Sequence, residues 1–298
     1  MFLDYFLDLQ ARLEGRKYYT STSLIKYSLT KTSSYRYAWN MNNTLPIDFK
    51  DERGRKVFKD VIKNLPVGVE VYLIAGSVRN AIDKYYHSNR KLFQRDYDQI
   101  VTKGSDKYIS YLKELGFYYG RIQRPTQKVL IKSFVGNKDI RDFANNLVFD
   151  INLMDGTEAI DNLKKHVGLK LNGNAISIRD VFSSDWQDKL VSLPGALSSI
   201  ENKQLKLNTE GYKYQAANLF SVIRFVHNGY APPSKEELTL LMRELPRVED
   251  DRYLKNVQKV FDYVGGEDNA RKICREIGID IDIFDKKAVM KTVNQASN

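Results

Sequence analysis

Val69-Glu70-Val71-Tyr72-Leu73-Ile74-Ala75-Gly76-Ser77-Val78-Arg79 is the stretch that decides the fold, together with Arg95-Asp96-Tyr97-Asp98 sixteen residues further on. The first run begins as an apolar, β-branched strand and ends in three small residues. Val78, Ile82 and Tyr85 then recur at helical spacing. A small-residue turn that opens a helix presents backbone N–H groups to an anion. Gly76 lets the backbone approach a phosphate closely, Ser77 sits in the same turn, and Arg79 adds a positive charge on the first helical turn. The second run starts a strand over Tyr97 to Val101. Asp96 and Asp98 are two apart, so an extended chain puts both carboxylates on one face. Two hard anionic oxygen donors side by side suit Mg²⁺.

A third carboxylate on a neighbouring strand would complete such a site. Residues 147–154 read as a strand with Leu147, Phe149, Ile151 and Leu153 on one face and Asp150 and Asn152 on the other. Asp150 is the best candidate, because a lone acid in an apolar strand needs a partner or a task. Asp155 and Asp142 are its rivals. Between these runs, residues 54–64 read as a helix, Ser105 as the cap of a helix bearing Tyr108, Tyr111, Leu112 and Leu115, and Val129 to Phe134 as a further strand. After about residue 210 the pattern turns helical. Leu219, Val222, Ile223 and Val226 form one stripe, Leu254, Val257, Phe261 and Val264 a second, and Ile273, Cys274 and Ile277 a third. Phe2, Phe6, Leu9 and Leu13 predict a short helix at the start. Residues 17–40 interleave Tyr with Lys and Arg, which suits stacked bases and phosphates.

The bulk properties agree with a polyanionic partner. The 298 residues carry a net charge of +10, with a pI near 9.3. One cysteine, Cys274, excludes an internal disulfide, and with only His87, His166 and His227 beside it a structural zinc site is not expected. No apolar run approaches the length of a membrane span, and Met1-Phe2-Leu3-Asp4 has no basic leader, so a cytoplasmic protein with no membrane partner is expected. There is no G-x-x-x-x-G-K-[ST] and no G-x-G-x-x-G.

The motifs resemble those of the tRNA nucleotidyltransferase (CCA-adding) and bacterial poly(A) polymerase family, a branch of the polymerase-beta-like nucleotidyltransferases. Ala75-Gly76-Ser77-Val78-Arg79-Asn80 is similar to the family's Gly-Gly-x-Val-Arg-Asp, and Arg95-Asp96-Tyr97-Asp98 to its Lys/Arg-Asp-x-Asp. Asn174-Ala175-Ile176-Ser177 resembles its Asn-Ala-Leu-Ala strand. Leu190 to Leu197 resembles its Leu-Ile-Asp-Pro-Phe-Gly-Gly-Leu segment, with a one-residue shift. Ser199 to Leu207 resembles the stretch that follows, and Val222-Ile223-Arg224-Phe225 its neck helix. The resemblance implies an α+β fold: a small mixed β-sheet nucleotidyltransferase head over residues 50–192, then an all-helical, RNA-binding neck and body over 193–298, after an N-terminal extension over 1–49. It implies transfer of a nucleotide from ATP or CTP to the 3′ end of tRNA or another RNA, without a template. Asp96, Asp98 and Asp150 would be catalytic, Asp96 and Asp98 would hold Mg²⁺, and Gly76, Ser77, Arg79 and Asn174 would bind the nucleotide.

The departures are specific. The family's first Gly is Ala75, and the loop over residues 79–95 is longer than usual. The Arg-Arg-Asp ribose motif is replaced by scattered Lys164, Lys165 and Lys170. The Asp and Arg of the family's Glu-Asp-x-x-Arg, which read the incoming base, are Gln215 and Asn218. Amides still offer donors and acceptors to a base edge, so both are carried as nucleotide-binding candidates. Two further functions stay open: transfer to a protein or small-molecule acceptor, and a non-catalytic RNA-binding relative. An intact Asp pair favours catalysis, and basic charge across the helical half would favour RNA as acceptor.

Overall fold

In the computed structural model the residues described are 44–49, 51–87, 96–136, 145–210 and 217–295. The helix read at residues 2–13, the Tyr-rich stretch at 17–40, Arg95, Asp142 and Gln215 lie outside them.

The decisive stretch folds as a strand, β1 (Glu70–Leu73), running into a helix, α2 (Ala75–His87). The turn is tighter than the sequence suggests, because only Ile74 separates the two elements. A preceding helix, α1 (Glu52–Lys63), is capped by Asp51, whose Oδ1 accepts the Gly54 N–H at 2.9 Å. After α2 come β2 (Tyr97–Lys103), α3 (Ser105–Glu114), β3 (Tyr118–Arg124), β4 (Gln127–Ser133), β5 (Asn146–Leu153) and α4 (Ala159–His166). Then follow β6 (Asn174–Ser177), β7 (Leu190–Ser192) and α5 (Ala196–Glu201). The seven strands form one mixed sheet in the order β3-β4-β5-β2-β1-β6-β7. Only β2 and β5 run parallel, and they sit next to each other with Asp98 opposite Asp150.

Strand alternation assigns the two faces. Tyr97, Gln99 and Val101 of β2, Leu147, Phe149 and Ile151 of β5, and Leu130 of β4 face α1 and α3, where Phe58, Tyr108 and Leu112 complete the core. Asp98 and Asp150 point to the other face. From α5 onward the chain is helical, continuing with α6 (Ala217–His227), α7 (Lys235–Glu244), α8 (Asp250–Val264), α9 (Glu267–Glu276) and α10 (Lys286–Gln295), and this is the helical half. Its core is continuous with that of the sheet: Leu219, Phe220, Val222 and Ile223 join the same buried cluster as Val71 and Ile82. The Tyr230 hydroxyl donates to the buried Asp83 of α2 at 3.1 Å, a polar tie between the two halves. The α+β fold of a mixed sheet followed by helices is thus observed. No helix among the described residues is long and apolar enough to cross a membrane.

Two local expectations are corrected, and one strand is added. Ser105 does not cap α3: Gly104, at φ 75°, is the N-cap, and the Ser105 N–H is taken by Asp155 Oδ1 at 3.1 Å. The second helical stripe keeps Val257 and Val264 but takes Tyr253 and Val260 in place of Leu254 and Phe261, and Leu254 is 64% exposed. Tyr253 turns inward because its hydroxyl finds a buried acceptor in the Ile283 carbonyl at 2.6 Å. Strand β3 is an addition that the sequence pattern does not announce.

Candidate active site: a carboxylate cluster on the parallel strand pair

The register of β2 and β5 makes the site. Because Asp98 and Asp150 are paired across parallel strands, their side chains leave the sheet on the same face, and Asp96 joins them one pleat earlier. Oxygen atoms of Asp96, Asp98 and Asp150 all lie within 4.8 Å of one another, and among the described residues this is the one cluster of His, Cys, Asp or Glu that close. All three residues are half-buried. Burial, with Asp96 and Asp150 adding like charge, pushes the Asp98 carboxyl up to about 7, while Arg79 and a hydrogen bond from the Gly76 backbone N–H pull it down. Burial also raises the Asp150 carboxyl, against a hydrogen bond from Gln127 Nε2 at 2.8 Å. Hard oxygen donors in this number suit a divalent ion such as Mg²⁺.

The phosphate-turn candidates sit beside the cluster. Gly76 is at the N-terminus of α2, with its N–H directed at Asp98. Ser77 is buried. Ala75, at the position of the family's first glycine, holds φ 51°, the left-handed region where glycine is unstrained and alanine is not. Arg79 is held on three sides. Its Nη1 donates to Asn172 Oδ1 at 2.7 Å, its Nε and Nη2 donate to Asn80 Oδ1 at 3.1 and 2.8 Å, and its guanidinium lies 4.9 Å from the Phe225 ring centroid on α6. Burial lowers its pKa from the ordinary value, and the Asp98 charge is among the groups that raise it.

Asn174 and Asn218 sit in packed surroundings. Asn174 is 1% exposed, and its amide is engaged inside the fold: Oδ1 accepts from Ser192 Oγ at 2.8 Å and Nδ2 donates to the Leu171 carbonyl at 3.4 Å. It braces β6 against β7. Asn218 packs on the backbone of Gly168, where an added methyl group would come within 1.9 Å of Nδ2. That amide nitrogen is buried and has no hydrogen-bond partner among the described residues. Asp155, the rival third carboxylate, caps α3 instead. Sequence reasoning does not find Gln127 or Asn172, which no local pattern marks, and it reaches Phe225 only as part of the neck-helix motif, not as a ring against Arg79. The three approach the site from 23 to 146 residues away in the chain.

The fold is shared with solved structures at low sequence identity. A Thermotoga maritima CCA-adding enzyme in complex with tRNA matches at TM-score 0.54 and 14% identity, over 76% of this chain and 50% of the other. A CCA-adding enzyme in an apo form matches at 0.52 and 16%, over 77% and 50%. A tRNA nucleotidyltransferase complexed with a primer tRNA and an incoming ATP analog matches at 0.51 and 14%, over 81% and 67%. The chain spans about half the length of the first two. No protein-family model matches the sequence, and no curated protein matches it. The class defined by fold and site is therefore an α+β, nucleotidyltransferase-like fold carrying a cluster of three aspartates on its parallel strand pair.

Proposed function

We propose that this chain transfers a nucleotide from a nucleoside triphosphate, ATP or CTP, to the 3′ end of an RNA, without a template and with Mg²⁺. The observation that carries the reading is the convergence of Asp96, Asp98 and Asp150 within 4.8 Å at the N-terminus of α2. Asp96 and Asp98 would hold the metal, which when bound neutralises phosphate charge and lowers the pKa of a nearby hydroxyl. The turn at Gly76 and Ser77, with Arg79 behind it, would orient the triphosphate. The primer 3′-oxygen attacks the α-phosphorus in line, the bond to the bridging oxygen breaks, and pyrophosphate leaves with the electron pair. Asp150, whose carboxyl is held above its usual range, would take the proton of the attacking hydroxyl. The protein's contribution is positioning and charge stabilisation.

Asn218 is the proposed contact to the base, with Gln215 beside it in sequence. Its amide nitrogen is turned in against Gly168 and would reach a base only by rotating outward, and a rotatable amide fixes a base less firmly than a charged Asp–Arg pair does. Tails of one preferred nucleotide, or of mixed composition, are therefore expected rather than an ordered C-C-A. The test is to incubate the protein with Mg²⁺, all four nucleoside triphosphates and a tRNA lacking its terminal CCA, and to sequence the products. Clean C-C-A tails would remove the role given to Asn218. Label on a protein or small molecule, with none on RNA, would favour the second acceptor class. That class has one observation behind it: residues 193–298 carry 16 cationic against 15 acidic side chains, so the helical half lacks the basic excess expected of it.

A further inference from the structure

The positive charge of the chain lies in the head: residues 50–192 carry 25 cationic and 18 acidic side chains. Within the head it is concentrated on the face of the sheet turned away from the aspartates. Helices α1 and α3 and strand β4 together bear nine cationic side chains and four acidic ones. Phe58 and Val61 of α1 and Tyr108 and Leu112 of α3 pack inward, which leaves Arg53, Arg55, Lys56, Lys59, Lys63, Lys107 and Lys113 exposed. Lys128 and Lys132 of β4 project to the same face, because they pair with Ile151 and Leu147, whose side chains lie in that core.

The face also interleaves cations with rings. Lys113 Nζ lies 4.2 Å from the centroid of Tyr119, Arg53 Cζ 5.1 Å from that of Phe134, and Lys59 Nζ 5.5 Å from that of Phe182. Tyr119 is 43% exposed. Cations set over partly open rings suit both elements of a nucleic-acid strand, phosphates for the charges and base faces for the rings. A lipid surface would instead call for several large apolar side chains standing out of the face. Those exposed among the described residues are few and scattered over both halves of the molecule.

We propose that the α1/α3 face of the head is a docking surface for an RNA strand, engaging its backbone at sites remote from the 3′ end that would enter the aspartate cluster. The inference rests on the proposed function only for the choice of RNA among polyanions. It places the main electrostatic interaction on the head rather than on the helical half.

Equilibrium binding of a fluorescein-labelled 20-nucleotide single-stranded RNA, and of a tRNA lacking CCA, tests it by anisotropy in EDTA and without nucleoside triphosphate. The variant Lys56→Gln/Lys63→Gln/Lys107→Gln/Lys113→Gln is compared with Lys255→Gln/Lys259→Gln/Lys287→Gln/Lys291→Gln on the helical half. The head variant should bind at least roughly ten-fold more weakly at 0.1 M salt. Its plot of log affinity against log salt should be shallower by about 0.7 for each phosphate the variant no longer neutralises. The helical variant should stay within about two-fold. A Lys107→Glu single variant with an unchanged melting temperature, giving a smaller loss of the same kind, guards against an unfolding artefact. Equal losses in both quadruple variants, or no RNA binding by the parent protein, would overturn the inference, as would a head variant that loses only anionic-vesicle binding. Because neither metal nor nucleotide is present, these results stand apart from whether transfer occurs. A parent that binds RNA on this face yet labels only a small molecule would sink the proposed reaction and leave the surface in place.

Discussion

The head and the helical half share one continuous core but use it differently. The helical half shows local agreement at its caps and ring contacts. Ser234 and Glu237 form a reciprocal capping box on α7, with Ser234 Oγ accepting the Glu237 N–H at 3.2 Å and Glu237 Oε2 accepting the Ser234 N–H at 2.9 Å. The Phe220 and Tyr253 rings meet edge to face at 5.3 Å, and cationic and acidic side chains nearly balance. The head, by contrast, crowds three carboxylates together and puts an alanine in a left-handed turn beside them. Strain and like-charge repulsion persist only where surrounding structure over-determines them, and they gather at functional sites. The contrast teaches that the conflict in this fold is local, gathered at the β2–β5 end of the sheet, within a core that both regions build together.

Substitutions in the two regions should therefore act on different observables, and this is the largest effect expected. Asp96→Ala or Asp98→Ala should lower nucleotidyl transfer by about 10³-fold or more with little loss of stability. Metal-free Asp98→Asn should melt higher than the parent, since a repelled charge is removed. Phe220→Ala in the helical half should do the reverse, costing roughly 3–5 kcal/mol in a denaturant titration while each folded molecule keeps its activity. An Asp98→Ala variant active within a few-fold of the parent would show that the cluster is not the reacting site.

How much of this is legible in the sequence follows the same division. Asp96, Asp98 and Asp150 can be read because a strand has period two, and an acid at the right parity in an apolar run stands out. Their neighbours cannot. Gln127 and Asn172 are ordinary amides until the sheet order sets one on Asp150 and the other on Arg79, 93 residues away. Strand β3 is illegible because Tyr118-Tyr119-Gly120-Arg121-Ile122-Gln123-Arg124 is an edge strand without alternation. The stripe on α8 is misread at its first position because Leu254 is the more apolar residue, while Tyr253 is the one with an acceptor waiting inside. Net charge is legible as a sum but not as a distribution: the basic excess expected of the helical half belongs to the head.

The next effect is pH-dependent and confined to the head. In the metal-free fold the Asp98 carboxyl is held up to about 7, against an ordinary value of 3.8. A group whose pKa is raised by folding favours the folded state while it stays protonated. Its contribution is full below about pH 4 and is lost as pH rises through 7, on the order of a few kcal/mol. Mg²⁺ needs the ionised carboxylates, so it should restore that loss. Melting curves in EDTA and in Mg²⁺ should diverge as pH rises from 5 to 8, with the metal-bound protein the more stable at pH 8. Parallel curves across this range would mean that Asp98 is not the titrating group or that the cluster takes no metal. Asp98→Asn should abolish most of the divergence.

The smallest effect sharpens the comparison most, because nearly the same substitution can be made in both regions. Among the described residues, two that are not glycine hold a positive φ: Ala75 at 51° in the head and Lys203 at 49° after α5, in the helical half. A left-handed conformation costs an L-residue roughly 1–2 kcal/mol. Glycine would relieve that cost and lose part of the gain, about 0.5–1 kcal/mol, to its freer unfolded chain. Ala75→Gly and Lys203→Gly should thus each be neutral to stabilising, by no more than about 1 kcal/mol. Lys203 closes its turn by accepting the Ala231 N–H at 2.7 Å through its carbonyl, a backbone bond that glycine keeps. If strain is a general feature of the fold, the two variants will gain stability and leave transfer untouched. If Ala75 holds the Gly76 N–H toward Asp98 and the triphosphate, Ala75→Gly alone will change transfer, raising KM for the nucleotide as the turn loosens. A loss of stability in Ala75→Gly would show that the alanine methyl packs well enough to outweigh its φ, and the contrast drawn between the two regions would then rest on the carboxylates alone.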